Sequence, residues 1–154
     1  MTDLDAIYSN RILELAAAIP RSERLDNPDA SASAHSKLCG STVQVDLTME
    51  RGVVTGYGQT VKACLLGQAA ASVVGREIVG TPKEEITEVA ANMRAMLKDN
   101  GPPPGGRWAD LAVLEPVRDY KARHTSTLLV FEAVLDAMAQ IEAGRQKAGS
   151  SGSA

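Results

Sequence analysis

The chain has 154 residues, of which 44% are hydrophobic and 23% are charged, and this composition predicts one globular domain with a substantial core. The net charge is −3 and no run of Lys or Arg is dense, which argues against nucleic acid or a membrane surface as a partner. The N-terminal segment lacks a basic region and carries Asp3, Asp5 and Glu14, so it predicts neither a signal peptide nor a transmembrane helix. We therefore expect a cytoplasmic protein whose two cysteines are thiols or metal ligands rather than a disulfide.

The first half of the chain predicts a helix followed by two strands. Apolar residues recur at helical spacing over residues 4–19, and Pro20 ends the pattern. The polar segment 21–36 predicts a loop. Apolar and polar residues then alternate over 42–50, which is typical of a half-buried strand, and 53–61 returns as a second strand after a tight turn. Gly56 and Gly58 in the second strand predict a bulge or a close approach of another segment.

The second half predicts three helices and a tail. A helix of small apolar residues covers 64–75, a second begins at a capping box formed by Thr81 and ends near Asn100, and a third begins near Thr125. Residues 101–108 predict a loop, and 111–120 a short apolar stretch of helical character. The fold class is therefore α+β, a small antiparallel sheet with helices packed on one face. We expect a single domain over residues 1–144 and a disordered Gly/Ser/Ala-rich tail over 145–154.

Three residues that can bind a metal lie where a loop meets a regular element: Cys39 before the first predicted strand, Cys64 at the start of a helix, and His124 before the last helix. The positive end of a helix dipole favours a thiolate, which is the form that binds metal. Two thiolates and an imidazole suit Zn²⁺ or iron–sulfur chemistry. Spacing alone does not bring these residues together, and His35 is a further candidate beside Cys39. Two buried cysteines that only contribute packing are the alternative.

Four segments resemble the iron–sulfur cluster assembly scaffold family, the IscU and NifU N-terminal type: IYSNRI (7–12), CGS (39–41), ACLLGQAAAS (63–72) and RHTSTLLVFEAV (123–134). Cys39-Gly40 matches the start of the family's Cys-Gly-Asp motif, and Ala63-Cys64 matches its second cysteine. Arg123-His124 matches the residues before its third cysteine. The chain departs from the family at two positions, because Ser41 replaces the aspartate and Thr125 replaces the third cysteine.

The resemblance implies an IscU/NifU N-terminal-like fold and a transient [2Fe–2S] cluster, or Zn²⁺, held by Cys39, Cys64 and His124. A [2Fe–2S] cluster takes four protein ligands. The fourth would come from Ser41 or Thr125, or from His35, water or a partner. The implied partners are a cysteine desulfurase that donates sulfur and proteins that accept the cluster.

Three functions remain open from the sequence. The first is a scaffold that binds iron, a cluster or zinc and passes it on, which would not be an enzyme. The second is a degenerate family member that acts as a protein-binding or regulatory module. The third is a thiol enzyme with Cys64 as the nucleophile and His124 as the base.

Overall fold

The computed structural model describes residues 9–37 and 40–152. Helix α1 (Asn10–Ala17) is followed by strands β1 (Ala30–His35), β2 (Thr42–Glu50) and β3 (Val53–Lys62). Helices α2 (Leu65–Glu77) and α3 (Lys83–Lys98) come next, and 3₁₀ turns cover Gly106–Asp119 and Lys121–Arg123. Helix α4 (His124–Gly152) ends the described chain.

The three strands form one antiparallel sheet in the order β1-β2-β3. The alternation in β2 places Val43, Val45, Leu47 and Met49 in the core. Helix α4 packs on β1 and β2, and α2 packs between α1 and α4 while also contacting β3. These contacts confirm the predicted α+β architecture, with the helical layer on one face of a small antiparallel sheet. None of the described helices is both long enough and apolar enough to cross a membrane.

Strand β1 corrects the predicted loop over 21–36. Its core-facing positions are Ala30 and Ala32, and serines alternate with the alanines along the strand. Such small side chains give little contrast between the two faces, so the two-residue period does not stand out in the sequence. The pairing of β1 with β2 determines which face of β1 is buried, because Ala30 lies opposite the buried Leu47 and Ala32 opposite the buried Val45.

The tight turn between β2 and β3 and the two glycines of β3 agree with the sequence analysis. Arg51 and Gly52 both have positive φ, at 54° and 76°, as a two-residue hairpin turn requires. The register shifts at Thr48/Met49. At Gly58 a Cβ atom would lie 2.1 Å from the carbonyl oxygen of Glu23, so the segment after α1 crosses the outer face of the sheet there.

A buried carboxylate holds this crossing segment. Asp46, on the outer face of β2, is fully buried and accepts hydrogen bonds from Arg24, from the Leu25 N–H at 3.0 Å, and from the Ser31 hydroxyl at 2.5 Å. Burial raises the pKa of Asp46, but the bonds from Arg24, Ser31 and the Leu25 N–H outweigh it and keep that pKa below its usual value.

Two further carboxylates fasten the 3₁₀ segment to the helices. Asp110 accepts from Arg11 of α1 and Arg76 of α2, each at 2.7 Å. Glu85 of α3 accepts the indole N–H of the buried Trp108 at 2.7 Å. Trp108 therefore anchors the proline-containing loop 101–108 on the core.

Two boundaries differ from the prediction. Thr81 does not cap α3, because Pro82 holds the capping position and the Thr81 hydroxyl donates to the Glu77 carbonyl at 2.7 Å. The backbone of α4 continues to Gly152, into the segment 145–154. The division into a domain over 1–144 and a disordered tail stays a prediction.

Candidate metal centre

Cys64 lies between the end of β3 and the start of α2. It is the N-cap residue of α2, one position before the predicted first turn, and its side chain caps no backbone N–H. The Gln68 side chain donates to the Ala63 carbonyl at 2.8 Å, and the Gln68 N–H donates to the Cys64 carbonyl at 2.9 Å. These bonds fix the backbone before and after Cys64. The Cys64 side chain is a free thiol and is half-buried, so it remains accessible.

Cys39 lies outside the described residues, whereas its neighbours Gly40 and Ser41 are described. The Ser36 N–H donates to the Ser41 carbonyl and the Gly40 N–H donates to the Ser36 carbonyl, both at 2.8 Å. Gly40 has a φ of +73°, a conformation that glycine adopts without steric cost. Gly40 therefore allows the chain to turn sharply before β2. The membership of Cys39 in a metal site stays a prediction.

Two buried hydroxyls connect this turn to Cys64. The Ser126 Oγ lies 3.0 Å from the Cys64 Sγ and 3.4 Å from the Ser41 Oγ. Ser41 and Ser126 are 4% and 1% exposed. The structure thus brings Ser41, one of the two predicted fourth ligands, to the same side of the molecule as Cys64.

Thr125, the other predicted fourth ligand, is half-buried, and no hydrogen bond joins it to Cys64 in the described part of the chain. The neighbouring Ser126 makes that contact instead. Ser126 has no distinguishing signal in the sequence, because a serine inside an amphipathic helix is ordinary. Its position next to Thr125 in a matched motif is the only hint.

The His124 ring is directed toward the 3₁₀ segment. Its Nε2 lies 3.1 Å from the carbonyl oxygens of both Val117 and Arg118. Carbonyls only accept hydrogen bonds, so Nε2 carries the hydrogen and only Nδ1 could bind a metal. Among the described residues, no three His, Cys, Asp or Glu side chains are grouped to hold a metal ion. A ligand role for His124 stays a prediction.

Other candidate residues also have local roles. The exposed His35, at the end of β1, has its Nδ1 3.3 Å from the Thr42 hydroxyl. Within residues 9–37 and 40–152, no hydrogen bond joins Cys64 and His124: the Cys64 sulfur lies against the Ser126 hydroxyl and the His124 Nε2 against the Val117 carbonyl. Lys62, at the end of β3, is exposed. It places a positive charge two residues before Cys64 in the sequence.

Comparison with known proteins identifies relatives over most of the chain. A NifU-like protein (N-terminal) from Brucella abortus has 54% sequence identity and a TM-score of 0.90, with 92% of this chain and 98% of that chain covered. The iron–sulfur cluster assembly scaffold protein IscU of Thermotoga maritima is 24% identical over 88% of this chain and 94% of its own length.

A third similarity concerns the fold alone. A putative iron–sulfur cluster assembly scaffold protein for the SUF system from Fervidobacterium islandicum has 19% identity and a TM-score of 0.79, over 86% of this chain and 97% of that chain. No protein-family model matches the chain. The Thermotoga relative is named as a scaffold protein and the Brucella relative as a NifU-like protein, which agrees with the prediction of a scaffold rather than an enzyme. The similarity to the Brucella protein, together with the fold and the matched motifs, shows that the chain belongs to the IscU/NifU N-terminal-like family.

Proposed function

We propose that the protein is a scaffold for iron–sulfur cluster assembly that holds its cargo between Cys39 and Cys64. The observation that supports this most is the path of hydroxyls from Cys64 through Ser126 to Ser41, at 3.0 Å and 3.4 Å. Ser41 is only two residues from Cys39 along the chain, and adjacent Cα atoms are about 3.8 Å apart. The position of Ser41 therefore supports a site shared by Cys39 and Cys64.

The donors fit an iron–sulfur cargo in part. Two thiolates suit iron–sulfur or zinc binding, whereas hydroxyls are weak replacements for the other two ligands of a [2Fe–2S] cluster. The His124 Nδ1, Ser41, Thr125 or a group from a partner would complete the set. An incomplete set of ligands suits a scaffold, because the cargo must leave again.

The proposed partners follow from this function. A cysteine desulfurase would supply sulfur and apoproteins would receive the cluster, in a cytoplasmic location. The half-buried thiol of Cys64 at the surface end of α2 is accessible to such exchanges.

A second candidate is a degenerate family member that binds a protein partner without assembling clusters. Ser41 and Thr125, which stand where the resemblance implies an aspartate and a cysteine, favour this alternative. Under it the two remaining cysteines would have no shared role.

A transfer experiment distinguishes the two candidates. The protein, anaerobically incubated with ferrous iron, a cysteine desulfurase and cysteine, is mixed with an apo-ferredoxin, and the ferredoxin's circular dichroism is followed. A scaffold increases the rate of ferredoxin maturation, and Cys64→Ala removes the increase. Equal rates with the wild type, with Cys64→Ala and without the protein would favour the degenerate module.

A further inference from the structure

The Ser126 hydroxyl is placed differently from that of its neighbour on the same helix. Thr127 donates to the Arg123 carbonyl at 2.8 Å, which is the usual bond of a helical hydroxyl to the preceding turn. Ser126 instead lies with its Oγ 3.0 Å from the Cys64 Sγ, across the contact between α4 and the start of α2. Ser126 and Thr127 are both buried, so their different hydroxyl partners reflect how α4 packs against α2 and not a difference in solvent exposure.

Gly67 of α2 allows this contact. A Cβ atom at Gly67 would lie 3.0 Å from the Ser126 carbonyl oxygen and 3.5 Å from its Oγ. It would also lie 2.9 Å from the Ala63 Cβ. Because glycine leaves this space empty, α2 approaches α4 closely enough for the Ser126 hydroxyl to reach the sulfur.

The direction of the hydrogen bond depends on the state of Cys64. A metal-bound cysteine is a thiolate, which can only accept. Ser126 must then donate its hydrogen to the sulfur, and its oxygen can accept from the Ser41 hydroxyl 3.4 Å away. The hydroxyls thus form a directed chain from Ser41 through Ser126 to Cys64.

We propose that Ser126 is a positioning residue that donates a hydrogen bond to the Cys64 sulfur while cargo is bound, with Ser41 supporting it. This inference rests on the proposed scaffold function. The bond would fix the orientation of the Cys64 side chain and withdraw charge from its sulfur. Hydrogen bonds to ligating sulfurs raise the reduction potential of a cluster, and outer partners of metal ligands change metal affinity about 10- to 100-fold.

The test compares Ser126→Ala with Thr127→Val, which removes a buried hydroxyl from the next position of α4. The proteins are loaded with Co²⁺ as a spectroscopic probe, and separately with iron and sulfide. For Ser126→Ala we expect about tenfold weaker Co²⁺ binding, a thiolate-to-cobalt band at lower energy and a lower cluster potential. Thr127→Val should match the wild type, and Ser126→Thr should recover most of the wild-type values because it restores a hydroxyl.

The outcomes separate this inference from the proposed function. If the wild type binds Co²⁺ through Cys64 and Ser126→Ala has the same affinity, band energy and potential, Ser126 has no positioning role and the scaffold proposal stands. If the wild type binds neither Co²⁺ nor a cluster, the scaffold proposal fails and the role of Ser126 fails with it.

A second experiment tests the placement of Ser126 without any metal. On a Cys39→Ala background, Ser126→Cys and Thr127→Cys each introduce one thiol, and diamide then oxidises pairs of neighbouring thiols. Peptide mass spectrometry should find a disulfide to Cys64 in the Ser126→Cys protein and none in the Thr127→Cys protein. No disulfide in the Ser126→Cys protein, or equal yields in both, would overturn the placement.

Discussion

Asp46 illustrates how a single buried residue stabilises the fold. A carboxylate on the outer face of a strand would ordinarily be solvated, but the segment that crosses the sheet buries it. Its hydrogen bonds from Arg24 and the Leu25 N–H join this segment to β2, and the bond from the Ser31 hydroxyl joins β1 to β2. Buried acceptors of this kind are costly to remove, because their donors lose their partners.

Asp46→Ala should therefore lower the free energy of unfolding by about 2–4 kcal/mol, as measured by urea denaturation. The matched change Arg24→Ala should cost less, because water can replace the 55% exposed Arg24 side chain while Asp46 keeps its bonds from Ser31 and the Leu25 N–H. Equal losses for the two variants would show that the ion pair, and not the buried acceptor, carries the stability.

At the scale of elements, close backbone contacts determine how loops and helices meet the sheet. Segment 21–29 crosses β3 at Gly58, and α2 approaches α4 at Gly67. The 3₁₀ segment Gly106–Asp119 is fastened through Asp110 and Trp108, and its last carbonyls receive the His124 ring. The orientation of His124 is thus fixed by this segment.

Gly58→Ala should destabilise the fold by about 1–3 kcal/mol, because its Cβ would lie 2.1 Å from the Glu23 carbonyl oxygen and the crossing segment must shift. Gly105→Ala serves as the control, since nothing lies within 4 Å of a Cβ there. Thermal unfolding followed by circular dichroism measures both changes. An unchanged melting temperature in Gly58→Ala would contradict the close crossing.

At the scale of the whole molecule, three carboxylates join elements that are distant in the sequence. The pKa of Asp110 is lowered by hydrogen bonds from Arg11 and Arg76, and the pKa of Glu85 is lowered first by the Trp108 indole and then by Arg107. Together with Asp46, they are held ionised in the folded protein more strongly than in the unfolded chain.

Because these folded-state pKa values are depressed, their contribution is complete above the unfolded values of about 4 and is lost as pH falls through the folded values. The urea midpoint should therefore fall as pH drops below about 4. Asp110→Asn should weaken this dependence, and the same slope in wild type and variant would contradict the assignment to Asp110.

The sequence predicted those parts of the fold in which apolar residues have a clear period. The alternation in β2 and the helical faces of α3 and α4 are of this kind. Strand β1 was missed because alanines and serines differ too little in hydrophobicity, and the burial of Asp46 was missed because it depends on a segment about twenty residues away.

For the candidate site, the sequence predicted which residue types could bind a metal but not the contacts between them. Cys64 was found at the start of its helix, and the motifs around it indicated the family. The contact of the Ser126 hydroxyl with the Cys64 sulfur depends on the space left by Gly67. The hydrogen that His124 carries on Nε2 depends on the carbonyls of Val117 and Arg118. Neither is encoded in residue spacing.

A site shared by Cys39 and Cys64 is best tested by anaerobic loading of the wild type, Cys39→Ala and Cys64→Ala with iron and sulfide, followed by visible absorbance and metal content. A shared site predicts a cluster chromophore that both substitutions abolish while the far-ultraviolet circular dichroism stays native. A colourless protein with about one zinc per chain, lost in both variants, would retain the shared site without cluster competence. Neither metal nor colour in a folded wild-type protein would contradict the shared site.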